Sequence, residues 1–153
     1  MQSLLKPFVG MVLVAGIVGA AQAQSPFGKP EDAIKYRQSA LFIMGQNFGP
    51  LAAMAQGKIP YDKELAIRNA GIMEFMSKLP WDRFSAGTEQ GNTKAKPEIW
   101  LNLEDFRAKA DKMQAEVAEL AKVARTGDFN AFKAQVGDTG KACKACHDEY
   151  RNK

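Results

Sequence analysis

The sequence predicts an all-α protein, an antiparallel up-down-up-down four-helix bundle, and three observations lead there. Apolar residues recur at helical spacing in four segments. Nothing along the 153 residues sustains the period-2 alternation of a strand. All but one of the connections between segments are short, and short connections leave neighbouring helices antiparallel.

The chain opens on a segment that reads as an export signal. Lys6 precedes an apolar run from Phe8 to Ala20, and Ala21-Gln22-Ala23 follows, so cleavage is expected after Ala23. The run, about 13 residues, is too short for the roughly 30 Å hydrocarbon core of a bilayer, and no later stretch qualifies. Residues 24–153 are therefore expected to form one soluble domain, with no membrane attachment, around a single core. Losing Lys6 lowers the formal net charge from +4 to +3. That excess is too small and too scattered for a nucleic-acid footprint.

The first helical segment runs from about Glu31 to Ala55, with Ile34, Leu41, Met44, Phe48 and Leu51 along one face. The second begins near Asp62, a plausible N-cap, and carries Leu65, Ile72, Met76 and Leu79 before Pro80 stops it. From Pro80 to about Pro97 the chain is irregular, with Gly87, Thr88, Gly91 and Asn92, and this is the one loop of functional length. The third helix has the cleanest seam: Leu103, Phe106, Ala110, Met113, Val117, Leu120 and Ala124 step by three and four. Thr126-Gly127-Asp128 ends it and caps the fourth. The fourth helix's inner face is expected to be Phe129, Phe132, Val136, Gly140, Cys143, Cys146, His147 and Tyr150.

Cys143-Lys144-Ala145-Cys146-His147 is the C-x-x-C-H signature of covalent haem attachment. On a helix, residues i, i+3 and i+4 share a face, so two thiols reach the haem vinyl groups as thioethers while the imidazole reaches iron. With two Cys and one His in the chain, shuffling gives this arrangement in roughly one sequence in ten thousand. A redox C-x-x-C would sit at a helix N-terminus, where the dipole lowers a thiol pKa, not near the end of the last helix. A structural zinc site needs four protein ligands, and no second pair is present. A plain disulfide leaves the adjacent His unexplained.

One histidine excludes bis-histidine ligation within a subunit, so the sixth iron position is a methionine, another group, or open. Met44, Met54, Met73, Met76 and Met113 all fall within predicted helices, where each also serves as ordinary core filling.

Several stretches together resemble one family. These are the segment from Lys29-Pro30-Glu31-Asp32 through Tyr36-Arg37-Gln38-Ser39-Ala40-Leu41, the Leu79-Pro80-Trp81 turn, Gly87-Thr88-Glu89, Pro97-Glu98-Ile99-Trp100, and the ending Cys143 to Arg151. Over essentially all of residues 24–153 they resemble the cytochrome c-prime family. That family is itself among the known up-down-up-down bundles, so fold and resemblance are one expectation, not two.

The resemblance implies a homodimer in a bacterial periplasm, each subunit holding one high-spin, five-coordinate haem c on Cys143 and Cys146 with His147 as the axial ligand. It also implies that Leu41 covers the open face of the iron. Related low-spin cytochromes place a Met at or near that position, and Met44, one turn on, keeps a six-coordinate electron carrier as the alternative. An iron roofed by Leu41 and by Phe42 or Phe84 disfavours water and anions by roughly 1–3 kcal/mol per unsatisfied polar group. Small neutral diatomics, nitric oxide and carbon monoxide, are the expected ligands, because dioxygen gains from a distal donor.

Arg151, one turn past His147, matches a family residue beside the proximal His; it also offsets the negative end of the last helix. Arg37 matches a residue near the haem propionates, against the alternative of a solvated helix residue. Lys141, Lys144, Arg151 and Lys153 form either a solvated basic face or a steering patch for an acidic, unidentified redox partner. Surplus apolar residues on the first two helices suit the dimer contact. A nitric oxide store or sensor capable of one-electron transfer is the function expected. A peroxidase or reductase has the least support, since the predicted iron face offers no acid or base.

Overall fold

The computed structural model describes residues 28–153; the expected signal segment, residues 1–23, lies outside them. Helix α1, Pro30–Ala55, starts on a proline whose missing N–H is one that no helix could pair, with Glu31 and Asp32 set against the positive end of the dipole. It closes in a Schellman motif: Gly57, at φ +70°, donates to Met54 O, and Lys58 donates to Ala53 O. Asp62 then caps α2, Lys63–Met76, accepting from the Leu65 N–H at 3.0 Å as expected from the sequence.

After a 3₁₀ turn at Trp81–Arg83 and a four-residue helix α3, Glu98–Leu101, come α4, Leu103–Thr126, and α5, Phe129–Tyr150. The α4–α5 joint is the one expected. Gly127 takes φ +80°, and Asp128 accepts from the N–H groups of Asn130 and Ala131. Helices α1, α2, α4 and α5 make the four-helix bundle, with α2 packed on both α1 and α4, and α5 packed on α4 and α1. Among the described residues the only β pairing is an antiparallel bridge between Ala95 and Arg151, which ties the long loop to the end of the chain.

Two apolar clusters result. The larger fills the bundle with Leu51, Met54, Met73, Val117, Leu120 and Phe132. The smaller, Ile99, Phe106 and Tyr150, lies under the long loop with Trp81, Phe84 and Trp100 against it. The predicted α4 seam is buried from Phe106 to Ala124, with Leu103 partly covered.

Two predicted faces need correction. In α2 the buried residues are Ala66, Asn69, Ala70 and Met73, while Ile72 points outward. Small residues let this helix approach its neighbours closely; of the predicted face Leu65 and Met76 are partly buried against the core, and Ile72 is the residue placed on the wrong side. In α5 Thr139 and Ala142 are buried, whereas Phe129 and His147 are exposed and the two cysteines half-buried. The buried Thr139 hydroxyl donates to Glu116 O of α4, a polar solution that an apolar pattern does not reveal. The loop from Pro80 to Pro97 is also less irregular than expected, since its start and the segment just beyond it form helical turns.

Candidate haem site

The last two turns of α5 carry the attachment motif. Cys143, Cys146 and His147 all face one cavity of about 500 Å³, within the range of small-molecule and cofactor sites. Around it stand Leu41, Met44 and Phe48 from α1, Met73 from α2, Trp81 and Phe84 from the loop, and Phe106 and Met113 from α4. Arg37 and Arg151 join at the polar margin. Cys143, Cys146, His147, Arg37, Leu41, Phe84 and Arg151 are thus brought to one cavity; of the candidate methionines Met44, Met73 and Met113 line it, whereas Met54 and Met76 belong to the bundle core. The sequence marks Phe106 and Tyr150 only as inner-face residues of their helices, and nothing in the spacing marks Lys109.

The donor set suits a covalent macrocycle and not a dithiol redox pair or a zinc centre. Burial raises the Cys143 thiol and pushes Cys146 up to about 11, so both stay protonated at neutral pH. An activated thiol pair requires the opposite shift. The His147 ring keeps a wet edge, but the part turned to the protein loses water and Arg151 adds positive charge, so its protonation is disfavoured. A neutral imidazole is the form that binds iron. Among the described residues no three His, Cys, Asp or Glu side chains converge as a metal cage. A flat apolar group joined to two thiols and one imidazole fits this setting.

Arg37 is not a solvated helix residue. It is 1% exposed. Its Nη1 donates to Arg83 O at 3.0 Å and to Thr88 Oγ1 at 2.8 Å, and its Nη2 donates to Thr88 O at 2.8 Å and to Thr93 Oγ1 at 3.1 Å. The guanidinium also lies 4.4 Å from the Phe84 ring centre and 5.4 Å from that of Trp100. Burial lowers its pKa to about 10, with Glu89 acting in the other direction, so it remains a cation at neutral pH. Of five guanidinium donors four are spent on neutral acceptors, which leaves the Nε–H for an anionic group.

The wall that α1 gives the cavity is apolar at Leu41, Phe42 and Phe48, but two amides join it. Gln38 spends its amide N–H on Asn92 O at 2.8 Å, and Gln46 is exposed. The basic cluster is not uniform either. Lys141 pairs with Asp138 at 2.8 Å and Lys144 pairs with Asp148.

Comparison with known proteins agrees with this reading. The family model of cytochrome c′ matches residues 32–151. A curated cytochrome c′ of Alcaligenes xylosoxydans xylosoxydans is 43% identical over 127 residues, covering 83% of this chain and 98% of the relative. The crystal structure of cytochrome c′ from Rubrivivax gelatinosus superposes with a TM-score of 0.79 at 48% identity, over 82% of this chain and 99% of that one. A nitric oxide complex of an Alcaligenes xylosoxidans cytochrome c′ variant, with one leucine replaced by alanine, superposes with a TM-score of 0.77 at 42% identity, over 83% and 98%.

Proposed function

This chain belongs to the cytochrome c′ family and carries haem c, and from that premise we propose that it binds nitric oxide and carbon monoxide at an iron face no protein atom ligates. Cys143 and Cys146 would hold the haem and His147 would ligate its iron, and the group would supply an exchangeable coordination position and a one-electron couple. The observation that carries the proposal is the α1 wall: Leu41, Phe42 and Phe48 present carbon where a ligand would sit. Leu41 has no lone pair and is only partly buried, so it yields to a small neutral guest at modest packing cost. The relative's nitric oxide complex supports the same ligand class.

In this reading Arg37 offers its remaining Nε–H to a propionate, which adds a hydrogen-bonded counter-charge to the more distant influence of Glu89. Arg151 lines the cavity one turn past His147 and adjusts that ring's basicity. Residues 1–23 are a cleaved signal, residues 24–153 the mature domain, and the periplasm its compartment. Two copies form a homodimer through α1 and α2, whose Tyr36, Phe42, Ile43, Ile72 and Phe75 remain in water. One-electron exchange with a redox partner is a second capability of the same haem. No helix among the described residues is long and apolar enough to cross a membrane.

A second reading is favoured by one observation: Met44 is buried and lines the cavity one turn from Leu41. A sulfur on iron would make a low-spin electron carrier instead. Optical spectra of the reduced protein with and without carbon monoxide decide between them. A broad high-spin spectrum that shifts with the gas supports the open face; sharp low-spin bands indifferent to it support Met44. Leu41→Ala should then speed gas binding, and unchanged rates would remove Leu41 as the lid.

A further inference from the structure

Aromatic rings form a continuous wall along the cavity and end at Tyr150. Ring centres of Trp81 and Phe84 lie 6.2 Å apart, those of Phe84 and Phe106 4.8 Å, and those of Phe106 and Tyr150 5.3 Å. Tyr150 is 3% exposed and lines the same cavity as Cys146 and His147. Its phenol donates to Asp105 Oδ2 at 2.5 Å. On the other side Asp105 is 3.3 Å from Lys109 Nζ, which also reaches Glu149 at 3.2 Å, and half of the Asp105 side chain is in water.

Gas binding makes no use of this arrangement. A phenol that loses an electron becomes a strong acid, so its oxidation is easy only where a base takes the proton at once. Asp105 is such a base: the Tyr150 hydrogen bond and the neighbouring Lys109 both favour its ionised form. The ring is buried beside the haem cavity while the carboxylate meets solvent. Electron and proton therefore have separate routes, one inward and one outward.

We propose that Tyr150, with Asp105 as its proton acceptor, returns one electron to the haem site after a peroxide has over-oxidised it. Hydrogen peroxide takes two electrons from the haem site and two protons from water, and leaves as two water molecules. Tyr150 gives one electron back; its O–H bond breaks, the proton passes to Asp105 Oδ2, and a neutral phenoxyl remains. A small-molecule reductant in solution then restores the phenol with one electron, and the proton returns from Asp105; the restored phenol repeats the step once, which returns the second electron to the haem site and leaves two equivalents of the reductant oxidised. Tyr150 thereby draws the oxidising equivalent away from the porphyrin. The relay rests on the open iron face proposed above, because peroxide must reach the metal.

The test mixes ferric holoprotein with hydrogen peroxide, freezes it at intervals and records electron paramagnetic resonance. A tyrosyl signal is expected, forming more slowly in deuterated water and absent from Tyr150→Phe. Asp105→Asn should slow its formation roughly 100-fold, the lower end for loss of a positioned base. The chain has three tyrosines, so the Tyr36→Phe/Tyr61→Phe double variant keeps Tyr150 alone and should retain the signal. This variant decides the matter by itself if Tyr150→Phe does not fold. A signal undiminished in Tyr150→Phe, lost in the double variant, or insensitive to deuterium overturns the relay. Absence of the signal in a protein whose spectrum responds to carbon monoxide overturns the relay alone. No response to carbon monoxide overturns the open face and the relay with it.

Discussion

The larger apolar cluster, around Leu51, Val117, Leu120 and Phe132, is held mainly by aliphatic and aromatic contact, with polar ties such as Thr139 to Glu116 O at its margin. The smaller cluster of Ile99, Phe106 and Tyr150 is fastened by polar groups. Arg37 ties the loop that carries Phe84, Tyr150 is anchored on Asp105, and the indoles of Trp81 and Trp100 donate to Ser77 O and Ser85 O. The difference follows from where each sits. The first is surrounded by four helices and reaches its density by packing. Both clusters border the haem cavity, but the second is closed by a loop instead of by helices, and directional hydrogen bonds fix its shape. Stability is thus concentrated in one cluster and site geometry in the other.

The largest expected effect tests the first half of that contrast. Leu120 is fully buried in the larger cluster, so Leu120→Ala should lower unfolding free energy by about 3–5 kcal/mol. The haem spectrum and its response to carbon monoxide should stay as they are. Urea unfolding followed by circular dichroism measures the loss, and a changed gas response would merge the two clusters into one unit.

Arg37→Leu tests the second half. It removes four hydrogen bonds and leaves the buried Thr88 hydroxyl and carbonyl short of a donor. The expected cost is about 2–3 kcal/mol, mainly from unsatisfied buried acceptors. The damage should concentrate in residues 83–93: their amides should exchange faster and proteases should nick there first, while α4 amides keep their protection. Uniform loss of protection across the bundle would mean that the loop is not a separate unit.

The contrast also explains what was legible in the sequence. Apolar periodicity reports packing between helices, so α4, with Phe106 to Ala124 on one seam, was read residue by residue. Caps are local chemistry, and Asp62 and the Gly127-Asp128 joint were equally clear. The attachment motif stood out because its three residues act within one helical turn. What escaped notice depends on distant partners. The acceptors of Arg37 are 46 to 56 residues away, and Tyr150 meets Asp105 across 45. The α2 face is only partly legible for a related reason: Leu65 and Met76 do pack on the core, but close approach through Ala66 and Ala70 is decided by the neighbouring helices, and no local pattern of large residues records it.

Gly127→Ala sharpens the comparison from the frame side, with a smaller effect. At φ +80° an L-residue is strained, and this should cost about 1 kcal/mol. An added Cβ would meet only the Lys63 side chain, its Nζ at 3.1 Å, which can move away. The loss should therefore be almost wholly conformational. Thermal unfolding should fall while the gas response and loop exchange stay fixed, because the joint lies at the α4–α5 turn and not at the cavity. A loss several times larger would show that the turn is packed more tightly than the Lys63 contact implies.

The smallest effect concerns the fastening of the second cluster to water. Hydrogen bonding from Tyr150, then the Lys109 contacts, hold the Asp105 carboxyl below its ordinary range, against a smaller opposing effect of burial. A carboxyl with a lowered folded pKa adds stability above the unfolded value, about 3.9, and loses it as pH falls through the lower folded value. The Tyr150 phenol is shifted upward, first by burial and then by the same hydrogen bond. An acid shifted upward contributes below its unfolded value, about 10, and loses that contribution as pH rises through the higher folded one. The pair should therefore stabilise the protein between about pH 4 and pH 10 and weaken on both sides. Because half of Asp105 is in water, solvent screens the interaction and keeps the effect modest. Urea midpoints recorded across that range for wild type and Asp105→Asn should differ most in the middle and converge in acid. Parallel curves would mean that the Tyr150 anchor is neutral in energy, and that shape in the smaller cluster is set by Arg37 and the rings alone.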